Sequence, residues 1–143
     1  MKTFIKLVVP AALIALFTYA AISKLSDINA FRTQLYRQPF AHLLAGILVY
    51  GLPATELLAV SLMLFSRTRL AGLLLSAGML IVFSVYIALG LLHFWRKIPC
   101  SCGGILNHMS WQTHLIFNLA FLLASLAAIA VFHAERSATC PNR

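Results

Sequence analysis

Acidic residues are nearly missing from this chain: Asp and Glu number 3 in 143 residues, against 11 Lys and Arg, giving a formal net charge of +8. Charge of either sign is scarce, at 10% of residues, where a soluble domain carries about 25%. With 62% hydrophobic residues and a mean hydropathy of +0.92, this scarcity excludes an ordinary soluble globule and leaves an integral membrane protein. In a soluble protein the basic excess would suggest nucleic acid. Here the basic residues stand at the ends of apolar runs, where they anchor to lipid headgroups, and no nucleic-acid motif is present. Internal repeats, long linkers and low-complexity tracts are also missing, so one domain over residues 1–143 is expected.

What is present is a series of apolar runs. Leu7–Ile22, with Phe4 and Ile5, approaches the roughly 20 residues a spanning helix needs. Its basic start and small residues around Ala20 and Ala21 also resemble a signal peptide, but the segment is expected to be retained as the first span, with Pro10 a tolerated kink. Leu43–Phe65, Leu70–Phe94 and Gln112–Phe132 are the other three spans, the last with Ser110 as N-cap. Gly72, Ser76, Ala77 and Gly78 would let the third span pack closely. Between the first two spans, Ile28, Phe31, Leu35 and Tyr36 recur at helical spacing, which predicts a short helix on the membrane surface with its apolar side down; a solvated loop is the rival. Ser66–Arg69 is a tight basic turn, and His133–Arg143 reads as a polar tail. The expected fold is an all-α, four-helix transmembrane bundle with short loops and an interfacial helix after the first span.

Reactive side chains gather in one place, Pro99-Cys100-Ser101-Cys102-Gly103-Gly104, between the third and fourth spans. Residues i and i+2 lie within the Cα separation of roughly 4.4–6.8 Å that a disulfide requires. So short a ring is strained and easily reduced, which suits exchange more than bracing. Gly103 and Gly104 allow the backbone to switch geometry, and Arg96 and Lys97 would favour thiolate if they lie nearby. A passive disulfide or two idle thiols are the bland alternatives. His93, Cys100, Cys102, His108 and His114 could also assemble a zinc or copper(I) site, although their spacing matches no strong zinc pattern. Cys140 falls on the opposite face of the bilayer, about 30 Å away, and cannot be the partner of either. His114 and Asn118 share one helix face, as interhelical hydrogen-bonding groups or with His114 as a proton carrier for thiol exchange.

Glu56 is the other costly residue, a carboxylate within a span, expected to face the bundle and to pair with Tyr19, Tyr86 or Lys24. Both a structural clasp and a catalytic role stay open for it. Four spans put both termini on one side, with Lys2, Lys6, Arg67, Arg69, Arg136 and Arg143; Lys24, Arg32, Arg37, Arg96 and Lys97 stand on the other. The basic N-terminus and the Arg67/Arg69 turn point to cytoplasmic termini and an outward-facing cysteine loop, where disulfides persist.

Lys24-Leu25-Ser26-Asp27 after the first span, Pro53-Ala54-Thr55-Glu56 in the second, and Cys100-Ser101-Cys102-Gly103-Gly104 ahead of Trp111-x-x-His114-x-x-x-Asn118 together resemble the MauE/DoxX redox-associated membrane proteins. The likeness covers nearly the whole chain. It implies a bacterial inner-membrane protein linked to maturation of disulfide-rich periplasmic proteins, with Cys100 and Cys102 as the redox pair; relatives of the DoxX kind are linked to quinone and thiosulfate chemistry. Many relatives carry Cys-x-Cys-Phe-Gly, so Gly103-Gly104 marks a sub-branch.

Two functions stand side by side. One is a membrane thiol–disulfide oxidoreductase in which Cys100, Cys102 and His114 are catalytic, Glu56, Trp111, Asn118, Lys24 and Arg96 bind, and a quinone or a second thiol protein resets the pair. The other is a non-catalytic subunit whose cysteine loop docks or braces a larger membrane complex. Both expect a protein partner and the lipid bilayer, and neither expects nucleic acid.

Overall fold

The computed structural model describes residues 1–38, 41–92 and 110–139, and they are helical apart from short turns. Five helices follow in order: α1 (Lys2–Ser26), α2 (Ile28–Tyr36), α3 (His42–Leu64), α4 (Arg69–Leu91) and α5 (Trp111–Thr139). The four long ones each hold a stretch long and apolar enough to cross a bilayer, in α5 over Gln112–Glu135. With 23 residues or more apiece, they measure about 35 Å or longer, enough for a hydrocarbon core of about 30 Å. The expected bundle of four membrane-crossing helices is therefore present.

Packing runs round a ring: α1 lies on α3, α3 on α4, α4 on α5, and α5 back on α1. Neighbours alternate in direction, so the C-terminal ends of α1 and α4 share one end of the bundle with the N-terminal ends of α3 and α5. We term this the connection end, because residues 93–109 link α4 to α5 there. Toward the other end, Leu13 and Phe17 of α1, Met63 of α3, Leu73, Met79 and Leu80 of α4 and Ala128 of α5 form the main core. The outside is as apolar as the inside. Leu43, Ile47, Val82, Ile116 and Leu123 are 60–78% exposed, which suits acyl chains and not water.

Because lipid is as apolar as Leu, these helices hold together by close packing rather than by a hydrophobic drive. At Gly72, α3 and α4 come close together. A Cβ there would stand 2.6 Å from Met63 Cγ, 2.8 Å from the Met63 backbone nitrogen and 3.1 Å from the Ala59 carbonyl oxygen. The small residues flanking it divide: Ser76 and Ala77 are buried, whereas Gly78 has nothing within 4 Å of its Cβ position and lies exposed. Gly72→Ala should therefore lower the stability of the detergent-solubilised bundle by about 1–3 kcal/mol, the usual cost of overpacking. Gly78→Ala should match the parent in the same thermal melt. Equal losses for both would mean that α3 and α4 do not meet at Gly72.

The basic turn between α3 and α4 caps the end of α3. Thr68 Oγ1 donates to the Leu62 carbonyl at 2.8 Å and Arg69 Nε to the Met63 carbonyl at 3.1 Å. A cation at the negative end of a helix also meets the helix dipole favourably. At the start of α5, Ser110 is the N-cap the sequence predicts: its Oγ accepts from the Thr113 backbone N–H at 3.2 Å.

Two expectations change. The short helix after the first span is there, but its apolar side does not lie on the membrane. Asp27 breaks α1 and caps α2 by accepting from the Ala30 N–H at 3.0 Å. Phe31 and Leu35, four residues apart, then bury against Ala45, Leu48 and Leu52 of α3. Gly46, without a side chain, lets the Tyr36 hydroxyl approach α3. Protein covers this face, and Asn29, Arg32, Thr33 and Arg37 remain exposed on the other. The polar tail is also largely helical, since α5 continues through Thr139. Lys6 of α1 meets Glu135 there, Nζ to Oε2 2.6 Å. This pair is solvent-facing, 32% and 46% exposed, so it is worth at most about 1 kcal/mol.

Candidate functional site

Each long helix buries one stripe, and the stripes of α1 and α3 each include one charged residue. In α1 the buried positions are Pro10, Leu13, Phe17, Ala21 and Lys24. In α3 they are Ala45, Val49, Pro53, Glu56, Ala59 and Met63. Lys24 and Glu56 thus continue the apolar stripes of adjacent helices, and helical periodicity turns them toward each other. The Lys24 Nζ donates to Glu56 Oε1 at 2.7 Å, with the two side chains 9% and 2% exposed. The lysine leans back along α1, so its ammonium also donates to the Ala20 carbonyl at 3.3 Å, and it stands 5.9 Å from the centre of the Phe31 ring. Lys24 is thereby well satisfied. Glu56 is not: its Oε2 is buried and makes no hydrogen bond.

Of the three partners the sequence suggests for Glu56, the structure selects Lys24. Tyr86 donates its hydroxyl to Gln38 Oε1 instead, tying the end of α2 to α4, and Tyr19 is 40% exposed on the outside of α1. The Tyr86–Gln38 contact had no signal in the sequence, because Gln38 lies in a polar stretch that reads equally well as surface. Lys6–Glu135 did leave one, as opposite charges at span ends on the same side.

On α5 the inward stripe is Asn118, Ser125 and Ala128, all buried, with His114 half-buried one turn before Asn118. The predicted inward face of His114 and Asn118 is therefore observed, and the Lys24 ammonium lies within Coulombic range of the His114 imidazole. Trp111 is the first residue of α5, and its side chain lies outside the described residues. So do Cys100, Cys102, Arg96, His93, His108 and Cys140. Among the described residues, no three His, Cys, Asp or Glu come together as a metal site would need.

The groove between α3 and α4 does not suit a quinone head group. This groove, about 570 Å³, is lined by apolar side chains such as Leu48, Leu52, Val82 and Phe83 around Gly51 and Gly78. Its one hydroxyl, on Thr55, is spent on the Gly51 carbonyl at 2.6 Å. A quinone carbonyl would find no donor there, and Lys24 is already engaged inside the bundle.

No curated protein and no solved structure matches the chain. The family model described as methylamine utilisation protein MauE does match, over residues 2–132, from the first turn of α1 to Phe132 in α5. That span takes in all four membrane-crossing helices and the Cys-x-Cys connection, and the chain belongs to the MauE family.

Proposed function

We propose that this multi-pass membrane protein is a thiol–disulfide exchange component that uses Cys100 and Cys102 on the connection between α4 and α5. The observation that carries this reading is where polarity collects. Lys24 in the last turn of α1, the half-buried His114 and the buried Asn118 near the start of α5 stand toward the end where α4 stops and α5 begins, with Glu56 reached by Lys24 from deeper in α3. Membership of a family described by methylamine utilisation fits a role in maturing disulfide-rich partner proteins outside the cytoplasm.

In the exchange, a partner thiolate attacks one sulfur of the Cys100–Cys102 disulfide. The S–S bond breaks, a mixed disulfide forms, and the other cysteine leaves as thiolate. A second partner thiolate resolves the mixed disulfide. The partner is then oxidised by two electrons and the Cys-x-Cys pair reduced to two thiols. A second, disulfide-bearing protein reverses these steps and restores the pair. His114, three residues into α5 from Trp111, is a group suited to taking up or returning the thiol proton.

Burial of Lys24 on Glu56 also supports an inner-membrane protein with cytoplasmic termini. Lys24 no longer counts as a loop charge, leaving four basic residues on the connection side against six on the side of the termini. The test is thiol trapping in intact cells, in a Cys140→Ser background, by acid quench and labelling with a bulky maleimide. A mixture of oxidised and reduced Cys100/Cys102 that shifts with added reductant is the expected result. A pair that stays oxidised and unresponsive would make it a structural clip, and a fully reduced pair would refute the mechanism. In the parent chain, an impermeant maleimide should reach reduced Cys100 and Cys102 from outside but not Cys140; the reverse pattern inverts the topology.

A further inference from the structure

We propose that Glu56 is a reversible proton site inside the membrane, taking a proton on Oε2 and exchanging it with the connection end by way of His114. A buried pair that served only to clasp α1 to α3 would satisfy both carboxylate oxygens, because an unpaired polar atom in a low-dielectric interior is costly. Here the donors are distributed unequally. Lys24 holds Oε1 and is itself engaged by the Ala20 carbonyl and the Phe31 ring, while Oε2 is left as a buried acceptor without a donor. A proton can bind Oε2 without displacing Lys24, so the site changes charge while the helix contact stays in place. An ionisable group in this setting, in a bundle that also bears an inward histidine, is the usual makeup of an intramembrane proton relay.

The surroundings of Glu56 leave few other participants. Among the described residues, α1 turns Lys24 toward it, while Lys2 and Lys6 stand at the far end, Lys6 engaged by Glu135. From α4, Arg69 caps α3 at the far end and Tyr86 is bonded to Gln38. From α2, Arg32 stacks over the Tyr36 ring and Arg37 is exposed, while Phe31 faces Lys24. Across the ring, α5 contributes His114, half-buried and on the connection side. Over the whole transfer, protonated His114 gives up one imidazole proton, Glu56 Oε2 gains one as an O–H bond, and Lys24 keeps its charge throughout. This site would serve the proposed thiol chemistry, which releases and takes up protons at the connection end, but it is argued from the described helices alone.

The scarcity of acids makes the test clean. Only Asp27, Glu56 and Glu135 carry side-chain carboxyls, so the Asp27→Asn/Glu135→Gln double variant leaves Glu56 as the sole side-chain contributor to a carboxylic-acid C=O band in the infrared. The full chain, in nanodiscs and with Cys100→Ser and Cys102→Ser added, should show a band that appears and disappears with pH. The band should be lost in Glu56→Gln; if that variant does not fold, the double variant alone assigns it. After a pH jump, His114→Gln should slow the band's appearance about tenfold or more without abolishing it at equilibrium. A carboxylate that never protonates, or one whose rate ignores His114→Gln, overturns the proposal. Because the cysteines are absent from this experiment, its failure is separate from failure of the exchange function, which the trapping experiment reads.

Discussion

Replacing Lys24 with Met should cost the solubilised bundle about 3–5 kcal/mol, the penalty for stranding one partner of a buried ion pair. Both Glu56 oxygens would then be buried without a donor, since Oε2 has none to begin with. Adding Glu56→Leu to Lys24→Met should recover most of the loss. A hydrophobic pair of similar volume removes the desolvation cost of both charges, and such replacements are often neutral or stabilising. The measurement is denaturation by added anionic detergent, followed by loss of helical circular dichroism, with the single and double variants side by side. If the single variant matches the parent, the ion pair does not form in the membrane. If the double variant is as unstable as the single, the pair supplies something other than charge compensation. The Lys24 position also makes a geometric demand, because the lysine stem packs in the stripe below Ala21 and above Phe31; Met suits it as an unbranched substitute.

Cys102→Ser should abolish exchange and accumulate a covalent adduct with the disulfide-bearing protein, formed when the Cys100 thiolate attacks that protein's S–S bond and one of its sulfurs leaves as thiolate. With Cys100 as sole thiol on the connection, a mixed disulfide that forms there has no internal thiolate to release it. The adduct should survive non-reducing electrophoresis and vanish with reductant, and Cys100→Ser should give the mirror result or none, according to which cysteine attacks the disulfide-bearing protein. Changing both cysteines should remove the adduct and the activity together. A complex that assembles and works with both changed would favour the non-catalytic subunit, in which the cysteine loop docks or braces. This outcome is the sharpest division between the two functions, because the helical bundle is common to both.

The fold was legible in the sequence to within a few residues per helix. Four apolar runs of spanning length, broken by short polar stretches, admit few arrangements, since a backbone in hydrocarbon has to satisfy its hydrogen bonds internally. Ser110 as the cap of α5 was legible for the same local reason: a serine before an apolar run has a backbone N–H to accept. The ends were read less well. The fourth span was read to Phe132 with a polar tail after it, and α5 runs on to Thr139; polar composition ends a membrane span without ending a helix. The segment after the first span was read correctly as a helix and wrongly as to what its apolar face covers. Periodicity states that Phe31 and Leu35 share a face, and it is silent on whether lipid or α3 meets that face.

The candidate site divides along the same line. Composition and periodicity by themselves determined that the chain crosses the membrane four times, that Glu56 must be compensated, and that His114 and Asn118 point the same way, because each follows from local chemistry repeated along one helix. Only the tertiary structure decided that Lys24 and not a tyrosine compensates Glu56, that one of its oxygens is left over, that Gly72 rather than Gly78 is where α3 and α4 touch, and that α2 folds back onto α3. These are distances between residues far apart in sequence. They depend on how helices rotate and slide against one another in the ring, and no single helix carries that information.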